Sequence, residues 1–117
     1  MRSYYVEGSK TLAYEVAEQL DWKVPDQLVV PTGSGAMLNA ICKGFEELEI
    51  VSLVNGTSSM HMNCAQPHGC APIVDAFKNN SNDVIPVENP DTVATVSYTH
   101  LRAHETDSYL VCRLLLE

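Results

Sequence analysis

The chain has 117 residues, of which 45% are hydrophobic and 19% charged, and its formal net charge is −8. This composition is ordinary for a folded domain, and no stretch reaches the roughly 20 apolar residues of a membrane-spanning helix. Only seven Lys and Arg residues, scattered along an acidic chain, argue against nucleic acid as a partner. There is no signal-peptide pattern and the four cysteines show no framework spacing, so we expect a cytoplasmic protein with free thiols and no membrane partner.

The first half of the chain predicts helix, strand, turn and helix, in that order. Apolar residues recur at helical spacing over residues 10–20, with Ser9 as the expected N-cap. The run from Leu28 to Val30 has neither charge nor alternation, which is typical of a parallel strand buried on both faces. A turn rich in glycine follows, and a second amphipathic helix is predicted over residues 36–48.

The second half continues the alternation of helices and strands. Strands are predicted over residues 50–54 and 60–65, the first being the weaker because Asn-Gly-Thr follows it. A third helix begins at Pro72 and runs through Phe77, and residues 84–87 form a short extended segment. Helices alternating with buried strands predict an α/β layered fold.

The turn between the first strand and the second helix is the most informative local feature. Small residues allow backbone N–H groups to close around an anion, and the helix N-terminus adds unpaired donors and a positive dipole end. A dinucleotide-binding loop is disfavoured because Leu38 stands where the third glycine of G-x-G-x-x-G is needed, and no G-K-[ST] is present. Spacing alone leaves phosphate binding and an ordinary glycine turn as equal alternatives. The turn reads Pro31-Thr32-Gly33-Ser34-Gly35-Ala36-Met37.

Four motifs occur in a fixed order along the chain. They are Glu-Gly-x-Lys-Thr-x-Ala-aromatic-Glu at residues 7–15, the glycine turn and its helix at 31–45, Gln-x-x-Gly-x-x-Pro at 66–72, and Val-Glu-x-Pro-x-Thr-x-Ala at 87–94. In this collinear arrangement they resemble the threonine synthase family of pyridoxal-phosphate (PLP) enzymes, of fold type II. The resemblance implies a tryptophan-synthase-β-like fold, a three-layer αβα arrangement around a parallel sheet.

The same resemblance implies a function for the parent protein and a role for the turn. The parent would convert O-phospho-L-homoserine and water to L-threonine and phosphate, with PLP as electron sink. Backbone N–H groups of Gly33, Ser34, Gly35, Ala36 and Met37 would hold the cofactor phosphate, and the Ser34 side chain would contact the substrate. In this family the Schiff-base lysine precedes all of these motifs. We therefore assign no catalytic residue, expect the piece alone to be inactive, and leave open a homo-oligomeric parent.

Some positions depart from the family pattern and keep other functions open. The family loop often has Asn where Ser34 and Met37 stand, and Tyr5 occupies the place of an arginine that helps to bind substrate phosphate, for which Arg2 is a possible substitute. A relative such as cysteate synthase, which uses phosphoserine and sulfite, is therefore an alternative. A stand-alone module that binds a phosphorylated ligand is another.

The C-terminal tail reads as non-native sequence. From residue 96 the chain can be back-translated as GTC TCT TAT ACA CAT CTC, which looks like a transposase-type sequencing adapter, and its last eight residues fit the distal end of that adapter. We expect residues 1–95 to be a piece of the PLP-binding domain and residues 96–117 to be translated adapter. The alternative is a natural amphipathic C-terminal helix.

Several other residues could be mistaken for catalytic or metal-binding groups. Lys10 and Lys43 could each be proposed as the Schiff-base lysine, but we expect both to lie on solvated helix surfaces. Four metal-capable side chains fall within ten positions in a spacing that matches no common zinc pattern, so no metal site is expected. These four are His61, Cys64, His68 and Cys70.

Overall fold

The computed structural model describes residues 3–93, so the predicted adapter tail at residues 96–117 lies outside the described residues. The described part contains helices α1 to α4, strands β1 and β2, and one short 3₁₀ helix. The third predicted helix and the strand over residues 60–65 are confirmed within one residue at each end, and the second helix runs two residues further than predicted. In chain order the elements are α1 Ser3–Ser9, α2 Thr11–Gln19, β1 Gln27–Pro31, α3 Ala36–Ile50, the 3₁₀ helix Thr57–Ser59, β2 His61–Ala65 and α4 Pro72–Lys78.

The predicted helix over residues 10–20 is confirmed as α2, but its predicted N-cap is wrong. Ser9 is already the last residue of α1, and its hydroxyl donates to the Tyr5 carbonyl one turn earlier, at 3.0 Å. A serine hydroxyl inside a helix commonly bonds backward in this way. Lys10 takes the cap position in helical conformation, without a side-chain capping bond.

β1 and β2 pair in parallel and bury one face of their sheet. Val30 lies opposite Cys64, and both are buried on the face that packs against the core. Successive strand residues point to opposite faces, so Val29 points the other way, and its side chain is 66% exposed. The expectation of burial on both faces is therefore wrong for this structure, because nothing among the described residues covers the side of Val29.

The strand predicted over residues 50–54 does not form. Helix α3 continues to Ile50, and the chain then turns so that the Leu53 N–H donates to the Leu48 carbonyl at 2.9 Å. This closure, common at helix C-termini, is made with Ser52 in the left-handed region at φ 61°. A short apolar run without periodicity is compatible with a helix end as well as with a strand. Here it forms the end of α3 and the turn that follows it.

The core lies between the covered face of the sheet and helices α2, α3 and α4. Phe45, on α3, is fully buried in this core, and Ala13 and Ala17 of α2 belong to the same cluster. Burial along α3 fixes the helix in place, which also fixes the turn at its N-terminus. These elements confirm the α/β class with a parallel sheet, whereas the three-layer arrangement stays a prediction.

No helix among residues 3–93 has the length and apolar character to cross a membrane.

Candidate functional site

The glycine turn lies where β1 ends and α3 begins, as the sequence predicts. Gly35 is the N-cap of α3 and has φ 86°, in the left-handed region that glycine adopts without strain. Gly35 is buried, while Gly33, Ser34, Ala36 and Met37 are half-buried. The turn therefore presents a partly accessible backbone surface at the start of a 15-residue helix.

The backbone donors of the turn have no acceptor among the described residues. The first hydrogen bond of α3 runs from the Asn39 N–H to the Gly35 carbonyl at 3.0 Å, and the N–H groups of residues 33–37 donate to no group within residues 3–93. Helix N-termini leave such donors free, and their dipole favours negative charge. No Asp or Glu lies between Gln27 and Cys42, so no carboxylate from this stretch would repel an anion. The five residues that the sequence singled out thus fit a phosphate group.

Thr32 anchors the turn to the neighbouring strand. Its N–H donates to the Ala65 carbonyl at 2.9 Å, and its buried hydroxyl donates to the Val30 carbonyl at 2.9 Å. The first bond extends the sheet pairing one residue beyond β1, and the second ties Thr32 back to its own strand. No sequence signal points to this role, because a threonine in a turn is common.

Gln66, directly after β2, links the turn to α4. Its Nε2 donates to the Gly33 carbonyl at 3.4 Å, and its Oε1 accepts from the N–H groups of Ile73 and Val74 at 3.0 and 3.1 Å. The second and third motifs of the sequence are therefore in direct contact. The role of Gln66 could not be read from spacing alone, because its three partners lie 33 and 7 to 8 positions away.

The third and fourth motifs also touch, at Gly69. A Cβ atom on Gly69 would lie 1.8 Å from the carbonyl oxygen of Asp91, so only glycine fits this crossing of two backbones. The Asp91 N–H donates to the Gly69 carbonyl at 3.1 Å. Glycine is needed here for close approach of the backbone rather than for a positive φ.

The first motif docks on α3, and its lysine is not a surface residue. Lys10 is 6% exposed, and its Nζ lies 2.8 Å from Glu47 and 2.7 Å from Glu7. The Tyr14 hydroxyl donates to the same Glu47 carboxylate at 2.9 Å. The expectation that Lys10 lies on a solvated helix surface is therefore wrong. It was wrong because the acidic partner on α3 is 37 positions away.

The electrostatics of Lys10 oppose a catalytic role. Its hydrogen bonds to Glu47 and then Glu7 hold the pKa of Lys10 above its ordinary value, and the bond from Lys10 lowers the pKa of Glu47. A nucleophilic lysine needs the opposite shift, toward neutral pH. Lys43, the other candidate, is exposed on α3, as expected.

No group of three or more metal-capable side chains within residues 3–93 is arranged to hold a metal ion. His61 and Cys64 both belong to β2, and burial raises the pKa of the Cys64 thiol. The expectation of free thiols is confirmed for Cys64 and Cys70.

Tyr5 occupies the arginine position of the family pattern. Tyr5 projects from α1 and is 64% exposed. Arg2, the substitute considered from the sequence, lies outside the described residues.

Comparison with known proteins agrees with the motifs. The sequence profile of pyridoxal-phosphate dependent enzymes matches residues 1–112. The chain is 42% identical over 92 residues to threonine synthase of Methanocaldococcus jannaschii and 45% identical over 92 residues to that of Methanosarcina acetivorans. Each alignment covers 79% of this chain and 22% of the relative. Threonine synthase 2, chloroplastic, of Arabidopsis thaliana is 31% identical over 96 residues, which are 81% of this chain and 18% of that protein. The chain thus spans about a fifth of the length of these relatives.

Proposed function

Because this chain belongs to the family of pyridoxal-phosphate dependent enzymes, we propose that it is part of a threonine synthase. The parent protein converts O-phospho-L-homoserine and water to L-threonine and phosphate. Support comes from the order of the four motifs and from relatives named threonine synthase at 42% and 45% identity. A parent of this kind takes a small phosphorylated amino acid as substrate. A cytoplasmic location, a homo-oligomeric parent and the third layer of the fold stay predictions.

The backbone of the glycine turn binds the cofactor phosphate in this proposal. The observation that carries it is the run of N–H groups from Gly33 to Met37, none of which donates to a described residue, at the positive end of α3. Such a site holds a phosphate dianion through several N–H bonds and the helix dipole, without a lysine. Gly35 at φ 86° turns the chain so that the loop leads directly into the helix.

The chemistry of the reaction lies outside these residues. When bound, PLP withdraws electrons from the substrate carbons that lose a proton. In this proposal the residues of this chain contribute binding and orientation: the turn holds one end of the cofactor and the Ser34 side chain contacts the substrate phosphate. The lysine that bonds to the cofactor belongs to the part of the parent before residue 1, so the chain alone has no activity.

We also propose that residues 1–95 are native and residues 96–117 are translated adapter. Sequencing the source DNA across both ends of the gene tests this assignment. Family sequence in place of the tail, with a Schiff-base lysine segment upstream, is the expected result. A genomic copy of the tail, away from any read end, would refute it.

Two glycines allow a matched test of the phosphate site in the parent protein. Gly35 and Gly56 both have φ 86° at helix N-caps, so replacement by alanine strains the backbone similarly at both. Gly35→Ala should weaken PLP binding about tenfold, whereas Gly56→Ala should leave it unchanged. Fluorescence titration measures the affinity of each variant for PLP and for pyridoxal, which lacks the phosphate. Equal PLP affinity in the two variants would contradict the assignment.

The substrate is tested separately, through Ser34. Ser34→Ala keeps the backbone N–H, so PLP affinity should stay within about twofold of the wild type while KM for O-phosphohomoserine rises. Phosphate release from O-phosphohomoserine, compared with turnover of phosphoserine and sulfite, distinguishes threonine synthase from cysteate synthase. Binding of phosphorylated ligands without turnover of either substrate by the full-length parent would favour a binding module instead.

A further inference from the structure

Gln66 is the only side chain among the described residues that hydrogen-bonds the backbone of residues 33–37. Gln66 directly follows the last residue of β2, which pairs with the last residue of β1, so Gln66 lies at the end of the sheet where the turn begins. Its three hydrogen bonds use both ends of one amide group, the donor end on Gly33 and the acceptor end on Ile73 and Val74. One planar group therefore joins the turn to the first turn of α4.

The acceptor end of Gln66 caps α4. The helix begins at Pro72, which has no N–H, and Ala71 at the N-cap position supplies no side-chain bond. The next two donors, on Ile73 and Val74, are met by Gln66 Oε1 at 3.0 and 3.1 Å. Because the oxygen is held by α4, the NH₂ group of Gln66 must face the turn.

The donor end controls the direction of a peptide group in the turn. In a trans peptide the carbonyl of Gly33 and the N–H of Ser34 point in opposite directions, so a carbonyl held toward Gln66 keeps the Ser34 N–H facing away from it. A flip of this peptide rotates ψ of Gly33 and φ of Ser34, and Gly33 accepts the new ψ at low cost because it has no Cβ. A flip here would present an oxygen to the anion in place of an N–H.

We propose that Gln66 is a positioning residue for the cofactor phosphate, holding the Gly33–Ser34 peptide with its N–H available to the anion. This inference rests on the proposed function, because it assumes that the turn binds the phosphate of PLP. Gln66 itself need not touch the cofactor. Both roles need the amide, which has a donor and an acceptor. A methionine side chain can make neither bond, and a glutamate side chain can only accept the bonds that cap α4.

The test uses the full-length parent protein with Gln66→Met and Gln66→Glu, titrated with PLP and with pyridoxal. Both variants should bind PLP about 3- to 10-fold more weakly, the range expected for one lost hydrogen bond, and should bind pyridoxal within about twofold of the wild type. Gln66→Glu keeps the α4 cap, so it remains informative if Gln66→Met does not fold. Its deficit should persist at about 1 M salt, where repulsion from the new carboxylate is screened.

Gln27→Met is the matched control, since Gln27 is an exposed β1 residue whose side chain accepts one bond, from Asn63 at 3.3 Å. It should change neither affinity. Variants of Gln66 that keep the wild-type ratio of PLP to pyridoxal affinity, or that lose both ligands equally, would overturn the inference. A wild-type parent that binds pyridoxal as tightly as PLP would instead overturn the proposed function, whatever Gln66 does.

Discussion

Replacing Gly69 by alanine tests whether the third and fourth motifs are held together by backbone contact. The new Cβ would lie 1.8 Å from the Asp91 carbonyl oxygen and 2.7 Å from its carbonyl carbon, whereas an ordinary contact needs at least 3.4 Å. The two backbones must separate to make room, which also breaks the 3.1 Å hydrogen bond from the Asp91 N–H to the Gly69 carbonyl. Overpacking costs about 1–3 kcal/mol and a lost hydrogen bond about 1 kcal/mol, so we expect a loss of about 2–4 kcal/mol.

Gly8→Ala is the matched control for this substitution. Gly8 lies inside α1, and a Cβ there would meet nothing within 4 Å. Alanine should therefore leave stability unchanged or raise it by up to about 1 kcal/mol. Urea unfolding of the full-length parent gives the free energy of unfolding for both variants. If Gly69→Ala and Gly8→Ala are equally stable, the contact between the two motifs does not constrain the fold and the reasoning is wrong.

Three further predictions concern α3. Phe45→Ala should cost about 3–5 kcal/mol because Phe45 is fully buried, while Glu46→Ala, exposed on the next position, should stay within about 0.5 kcal/mol in the same urea titration. Gly44→Ala should destabilise by about 1–2 kcal/mol, because its Cβ would come within 2.7 Å of a side chain of α2, and this should exceed any helix-propensity gain. The bond from Lys10 lowers the pKa of Glu47 in the folded state. The Glu47 carboxylate therefore stabilises the fold above the ordinary carboxyl pKa of 4.5, and this stabilisation is lost as pH falls through the lowered value. Glu47→Gln removes this pH-dependent part, so the stability of the variant should fall less steeply than that of the wild type below pH 4.5. Urea unfolding from about pH 6 to pH 2 gives the free energy of unfolding of variant and wild type at each pH. The same dependence of that free energy on pH in both proteins would refute this prediction.

Local pattern was sufficient to locate most of the elements and the candidate site. Helical periodicity located α2 and α3, Pro72 marked the start of α4, and the uncharged run at Leu28 located β1. The glycine turn was found because a strand, small residues and a helix N-terminus are all local features. Errors arose where local signals were ambiguous, as at residues 50–54, or where a neighbouring helix changed the context, as at Ser9.

By itself, then, the sequence determined the kind of element along most of the chain, the place of the glycine turn and, through the order of its motifs, the family. The tertiary structure alone decided that Lys10 is buried against Glu47, that Gln66 reaches back to Gly33, and that Gly69 lies against Asp91. Each of these contacts joins residues 22 to 37 positions apart. Periodicity and turn chemistry act over a few residues, whereas such contacts depend on how helices and strands pack. The same packing raises the pKa of Lys10 and brings Gln66 against the turn.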